Sequence, residues 1–435
     1  MSGARRRIQP EHPFSADLDR RVSIRRAPAR RGIMTTPITT HDGSTARRSR
    51  IHDALAGHVA RGEVPGLIAL VARRGVAEVD VIGATAAGGS EPLRRDSIFR
   101  ISSMTKPITA AAAMAAIDDG QLTLDEPVDR LLPELAGRRV LRRIDGPLDD
   151  TVPASRPITV RDLLTFTLGM GIPFAPPGSM PIQRALDELR LGQGVPQPQA
   201  APALDEWLRR LGTLPLMHQP GERWMYNTGS DVLGALIARA SGRPLDQLLR
   251  ERIFEPLGMT DTGFSVSPAQ LDRLVTSYAV DPATGALRRF DPPDGQWSRP
   301  PAFPAGSAGL VSTADDFLAF AEMLRNGGSH RGTRVLSAAA VAAMTRDQLS
   351  PAQKAASQWV PGFFDRFGWG LGMAVVTGQD DSAAPGSYGW DGGLGTVWRT
   401  DPRAEVVTIL LTQRAWVRPE PPPVCRDFWR AARAA

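Results

Sequence analysis

Cysteine occurs once in these 435 residues, lysine twice and tyrosine three times. Each scarcity excludes something. The lone Cys425 cannot close an internal disulfide and has no second thiol for redox chemistry. The six histidines, His12, His41, His52, His58, His218 and His330, show no paired spacing for a metal. No metal and no cofactor are therefore expected. His52 and His58 fall in a predicted helix and read as solvated or packed. Long apolar runs are also missing, none approaching the roughly 20 residues that cross a bilayer. The Arg-rich start is not followed by the apolar core of a signal peptide. No membrane span and a cytoplasmic location are the expectation. There is no Gly-x-Ser-x-Gly, and Gly306-Ser307-Ala308-Gly309 has the wrong spacing for a nucleophile elbow. His218 lies eight residues before Tyr226 and reads as a packed side chain rather than a catalytic base.

The net charge is +6, but residues 1–50 hold 12 Arg against Glu11, Asp17, Asp19 and Asp42. That segment is +8 and the rest of the chain is −2. The basic character belongs to a tail rather than to a folded face. Residues 1–43 read as a disordered, Arg-rich extension, or as sequence upstream of a true start at Met34. Too few aromatics interleave with these arginines to stack bases, so no nucleic-acid partner is expected. Elsewhere, 42% hydrophobic and 23% charged residues are ordinary for a globular protein. The length exceeds what one compact core usually holds, which predicts two lobes.

Apolar periodicity predicts a helix over 44–62, with Ile51, Leu55 and Val59 at four-residue steps. Leu67–Ala72 and Val76–Ile82 read as a hairpin around Arg73-Arg74-Gly75. An Ala-rich helix ends at Gly120. Residues 136–157 read as loop. Thr159-Val160-Arg161-Asp162 is a capping-box pattern that opens a helix. Further helices are predicted at 204–211, 231–240, 244–254, 314–325, 337–345 and 424–434. Residues 281–305, rich in Pro and Gly, look like a boundary. Strand-like runs return at 369–376, 394–399 and 405–411. Strands lie at both ends and helices in the middle. This predicts an α/β lobe from 44–140 and 290–435, with a helical lobe, 141–289, inserted.

The two lysines are Lys106 and Lys354, against a background that writes nearly every cation as Arg. Lys106 stands in Ser102-Ser103-Met104-Thr105-Lys106, at the start of the Ala-rich helix. On a helix, positions i and i+3 share a face, so Ser103 and Lys106 are side by side. Serine needs a neighbouring base to become a nucleophile. Lysine can be that base if burial lowers its pKa, and arginine cannot. With two lysines, a chance Ser-x-x-Lys arises roughly one time in eight. Tyr226, in Trp224-Met225-Tyr226-Asn227-Thr228-Gly229, precedes a predicted helix. Near Lys106 its phenol would serve as a base toward Ser103 or as an acid toward a leaving group. Tyr388-Gly389-Trp390-Asp391-Gly392-Gly393-Leu394-Gly395-Thr396 enters a predicted strand. Its glycines permit close backbone approach, and such an edge can offer an N–H to an oxyanion.

Ser-x-x-Lys, then Tyr226, then a Gly-rich strand, in that order, resemble the serine β-lactamase and penicillin-binding-protein superfamily. The look is nearest to the class C branch and its esterase relatives. Ile158–Gly169, Pro220–Gly234, Ile253–Phe264 and Ala308–Phe317 support the resemblance, which covers about residues 50–415. It implies a β-lactamase/transpeptidase-like α/β fold, an antiparallel sheet flanked by helices with an all-helical lobe beside it. It implies acyl transfer by Ser103, with Lys106 and Tyr226 sharing the proton. The N–H groups of Ser103 and Gly393 would form the oxyanion hole. Thr228, Asn227, Trp390, Asp391 and Gly392 would bind a small ester or amide. Two positions depart from the family pattern. Thr228 stands where an Asn amide is usual, and Trp390 stands where a Lys or His is usual, as it does in the esterases. A carboxylesterase on small acyl esters is the expectation. A β-lactamase or D-amino-acid peptidase is the alternative, with Arg399 or Arg414 replacing the missing cation. A non-catalytic binding or sensor protein on the same fold is the second alternative. The sequence leaves the oligomeric state open.

Overall fold

The computed structural model describes residues 42–434 apart from Gln193 and Gln358, with side chains from Arg50 onward. The predicted Arg-rich tail therefore lies outside the described residues, except that Asp42 and Gly43 open the first helix, α1 (Asp42–Ala60). Seven antiparallel strands form the main sheet. They are β1 (Gly66–Arg73), β2 (Val76–Gly83), β3 (Phe367–Trp369), β4 (Ala374–Val376), β5 (Tyr388–Gly392), β6 (Thr396–Asp401) and β7 (Val406–Thr412). Their order across the sheet is β3-β4-β5-β6-β7-β1-β2. The two ends of the chain meet where β1 pairs with β7, Leu70 opposite Ile409.

The central strands are apolar without alternation because both of their faces are covered. Ile68, Leu70 and Ala72 of β1 point into the main core with Ile409 and Leu411. Leu67, Ala69 and Val71 point the other way, into a second core with Leu55 of α1 and Phe428 and Trp429 of the terminal helix, Pro423–Arg433. Each fully buried side chain of this size contributes about 1.5–3 kcal/mol. The β1–β2 turn carries Arg74 and Gly75 at φ 49° and 80°, the left-handed pair of a two-residue hairpin.

On the main-core face runs α2 (Thr105–Asp118), whose residues Thr105–Ala115 are all buried. Its alanines let neighbours come close; a side chain on Gly372 would collide with Ala110. Between the two groups of strands the chain is mostly helical, with helices at Pro181–Glu188, Leu204–Thr213 and α3 (Thr228–Ser241). The capping box of Thr159 and Asp162 is present with both halves formed. Residues 136–157, predicted as loop, contain a short ladder of Arg139–Leu141 on Thr151–Pro153. The 281–305 stretch contains a strand, Leu287–Asp291, paired with Ser277–Val280. Three- to five-residue strands are too short to leave a period in the sequence.

Candidate active site

Ser103 stands two residues before α2, in a tight turn over Ser102–Met104. Such a turn has three residues per revolution, so i and i+3 eclipse. The predicted juxtaposition therefore survives although Ser103 is not within the α-helix. The turn is strained. Ser102 has φ 46°, a left-handed value uncommon outside glycine. Thr105 holds it, its hydroxyl donating to the Ser102 carbonyl at 2.6 Å and accepting the Leu310 N–H at 3.1 Å.

Lys106 is completely buried. Its Nζ lies 3.0 Å from Ser103 Oγ and donates to Asn227 Oδ1 and to the Ser307 carbonyl, both at 2.8 Å. Burial pulls its pKa down to about 7, against the opposing charge of Asp231. A cation at a helix N-terminus also opposes the helix dipole. Two of the three Nζ positions are thus held by oxygen acceptors, and the third faces the serine hydroxyl.

Tyr226 closes the other side of Ser103. Its hydroxyl is close enough to the Ser103 side chain for that group to favour the ionised phenol, and it accepts from Trp390 Nε1 at 2.8 Å. Burial raises the phenol pKa, and the Ser103 and Trp390 side chains oppose that rise. The ring is caged by Phe166, Trp224, Trp359 and Trp390, with centroids 4.8–5.9 Å away. Lys106 Nζ sits 4.6 Å from the ring centroid, where a cation is attracted by the π face. Asn227 caps α3 at φ 88° and ψ −67°, the strained γ-turn region. That conformation aims its amide oxygen at Lys106.

The β5–β6 hairpin supplies the third part. A side chain on Gly392 would strike the Ile101 carbonyl, so glycine is what lets the hairpin close on the Ser103 turn. Thr396 Oγ1 donates to the same carbonyl at 3.1 Å. Gly393 follows, its carbonyl accepting the Trp416 N–H at 2.8 Å. Ser103 and Gly393 line one cavity of about 680 Å³, together with Tyr226 and Asn227. Its apolar walls include Trp207, Phe303, Leu394 and Trp416.

The remaining expected residues are placed differently. Thr228, Trp390, Asp391 and Gly392 are described residues that do not line this cavity. Thr228 is fully buried in the first turn of α3. Trp390 turns its indole N–H to Tyr226 rather than forming a cavity wall. Asp391 accepts from the Arg399 guanidinium at 2.6 and 2.9 Å. Arg399 is itself buried, with its guanidinium 4.9 Å from the Trp429 ring centroid. Arg414, half-buried after β7, does not line the cavity either. His218 is outside the cavity, with burial pulling its pKa down to about 4. The second lysine, Lys354, pairs with Asp347 away from the site. Two neighbours went unnoticed in the sequence, Asp231 and Ser307. The motif that contains Ser307 was legible only as a failed nucleophile elbow. Among the described residues no His, Cys, Asp or Glu cluster could hold a metal, and no helix is long and apolar enough to cross a membrane.

Residues 51–433 match the family model described as Beta-lactamase. The chain is 40% identical over 381 residues to Protein Rv1367c of Mycobacterium tuberculosis, covering 86% of this chain and 90% of that one. It is 32% identical over 378 residues to Esterase EstB of Burkholderia gladioli, covering 81% and 86%. Among solved structures, EstCE1, a hydrolase with promiscuous acyltransferase activity, aligns with a TM-score of 0.73 at 26% identity, covering 89% of this chain and 99% of that one.

Proposed function

Because the chain belongs to the Beta-lactamase family, we propose that this serine hydrolase is a carboxylesterase working through an acyl-enzyme on Ser103. The observation that carries the reading is Ser103 Oγ held between Lys106 Nζ and the Tyr226 hydroxyl, beside a cavity with apolar walls. Lys106 is the resting base. As a neutral amine it donates two N–H bonds, to Asn227 and Ser307, and turns its lone pair to the Ser103 O–H. Tyr226 is the weaker candidate, since burial keeps its phenol protonated. Ser103 Oγ attacks the ester carbonyl carbon and its proton passes to Lys106. The N–H groups of Ser103 and Gly393 receive the oxyanion, each worth about 3–4 kcal/mol. Lys106 and Tyr226 return the proton to the alkoxide leaving group. Water then attacks the acyl-enzyme by the same route and releases the acid.

Substrate charge separates this reading from a β-lactamase or peptidase. The carboxylate of a β-lactam calls for a fixed cation. Trp390 offers none, and Arg399 is engaged by Asp391. A desolvated carboxylate without a partner costs several kcal/mol. A cavity of about 680 Å³ falls in the range that encloses a drug-sized ligand, so an ester with a bulky apolar portion fits as well as a small one. It also leaves room for an alcohol beside the acyl group. Acyl transfer to an alcohol is the second reading, and EstCE1 is described as having promiscuous acyltransferase activity. The test is a panel of p-nitrophenyl esters of graded chain length run beside nitrocefin. The expected kcat/KM for the best ester exceeds that for nitrocefin by about 100-fold, or roughly 3 kcal/mol. A preference for nitrocefin overturns the esterase reading.

A further inference from the structure

The proton chemistry assigned to Ser103, Lys106 and Tyr226 leaves one buried carboxyl without a task. Asp231 lies in the first turn of α3 and is 6% exposed. It borders the same cavity as Ser103. Its Oδ1 accepts the Ser307 N–H at 2.9 Å, and the Ser307 side chain also favours the ionised carboxyl. The carbonyl of that same Ser307 accepts from Lys106 Nζ at 2.8 Å. Ser307 is therefore held from one side by Asp231 and holds Lys106 from the other. Thr109 fixes the adjoining residue, its hydroxyl donating to the Gly306 carbonyl at 2.8 Å.

We propose that Asp231 is a positioning residue for acyl transfer, which fixes the Ser307 carbonyl on the Lys106 amine and supplies the negative charge that keeps this amine basic. The inference rests on the acyl-enzyme reading above. Its physical reason is the depth of the site. Burial is the largest influence on both groups, lowering the Lys106 pKa and raising that of Asp231, and each charge opposes the shift of the other. Without the carboxylate, burial acts on the amine unopposed. A lysine of still lower pKa is a weaker base toward a serine hydroxyl. Burial lifts the Asp231 pKa to about 6 against the Ser307 N–H that donates to it, so the carboxyl is ionised above that pH, where the positive end of the α3 dipole also favours its charge.

The other groups around Lys106 do not replace it. From the loop before α3 come the Tyr226 phenol and the neutral Asn227 amide. The segment from Gly306 to Leu310 contributes carbonyl and hydroxyl oxygens. The β5–β6 hairpin brings Trp390, and Asp391 there is neutralised by Arg399. Among the described residues, Asp231 is the charge that opposes the effect of burial on the amine.

Asp231→Asn separates charge from shape, because an Asn oxygen still accepts the Ser307 N–H. The experiment records kcat/KM for p-nitrophenyl butyrate against pH, together with the rate of fluorophosphonate labelling of Ser103. The variant is expected to fold like the wild type. Its acid limb should move to lower pH by about one unit or more, as an opposing charge is lost. Its plateau should fall about tenfold or more as the base weakens. Asp231→Ala, which also frees Ser307, should fall further on the plateau. If Asp231→Asn does not fold, Ser307→Ala gives the second measurement. It removes the hydroxyl that favours the ionised carboxyl, and a smaller shift in the same direction is expected. An acid limb that stays in place in the variant that folds, or moves upward, overturns the proposal and leaves Asp231 a structural residue. Absence of Ser103 labelling in the wild type would instead defeat the acyl-enzyme reading itself, so the two failures are distinguishable.

Discussion

The proposed role of Lys106 as resting base sets the pH dependence of the reaction. The amine is active when neutral, and burial places its pKa at about 7 instead of the usual 10.4 or so. Activity should therefore rise with pH through about 7 and level off above it. At pH 5, two units below that midpoint, about 1% of the lysine is neutral. The corresponding loss in kcat/KM is about 100-fold, or roughly 2.7 kcal/mol. Tyr226 adds no fall on the alkaline side near neutrality, because burial drives its pKa up. Stability carries a mark of the same shift at higher pH. The unfolded chain holds its lysine proton between about pH 7 and 10 while the folded one does not, so the Lys106 contribution rises with pH across that window. Below pH 7 the buried site bears its full cost. Lys106→Arg restores a cation but not a base, and should lose about 10²–10⁴ in kcat/KM, the range of a general base. The assay is the pH dependence of kcat/KM on a p-nitrophenyl ester, with the wild type and Lys106→Arg side by side. A flat profile from pH 5 to 9, or an Arg variant within tenfold of the wild type, refutes the assignment.

Trp390→Phe keeps the ring but removes the indole N–H from Tyr226, and should lower kcat/KM about tenfold, the worth of one buried hydrogen bond; unchanged ester kinetics would count against that role. Gly392→Ala should push the hairpin off the Ile101 carbonyl, costing about 1–3 kcal/mol and slowing Ser103 labelling, with thermal melting and labelling rate as the two readouts. Arg399→Ala strands a buried Asp391 and should destabilise the fold by about 3–5 kcal/mol, seen as a fall in Tm. A folded Arg399→Ala protein that had instead lost nitrocefin turnover would revive the relocated-cation alternative.

The contact between Ser103 and Lys106 was legible because it is local. Three residues separate Ser103 from Lys106, and lysine is nearly absent elsewhere. Tyr226 was legible for the same reason, as one of three tyrosines. The antiparallel sheet with its helices agrees with what the family resemblance implied, and the continuous apolar run of β1 announced a strand covered on both faces. What stayed hidden depends on contacts across the chain. Ser307 meets Lys106 over 201 positions and Asp231 over 76, and no local pattern encodes either meeting. Trp390 was read as a pocket wall because its indole partner, 164 positions away, could not be seen. The Asp391–Arg399 pair was nearer to hand. In the β5–β6 register Asp391 faces Val397, and a residue two further along stands diagonally on the same face. Knowing where the hairpin turned would have paired them.

A covalent acyl-enzyme on Ser103 can be tested by intact-protein mass spectrometry after fluorophosphonate treatment. The wild type should gain one adduct, mapping to the peptide that holds Ser103, in step with the loss of esterase activity. Ser103→Ala should gain none and should lose kcat by several orders of magnitude. An adduct that persists in Ser103→Ala, on Ser102 for instance, or ester turnover that survives the substitution, would contradict the account.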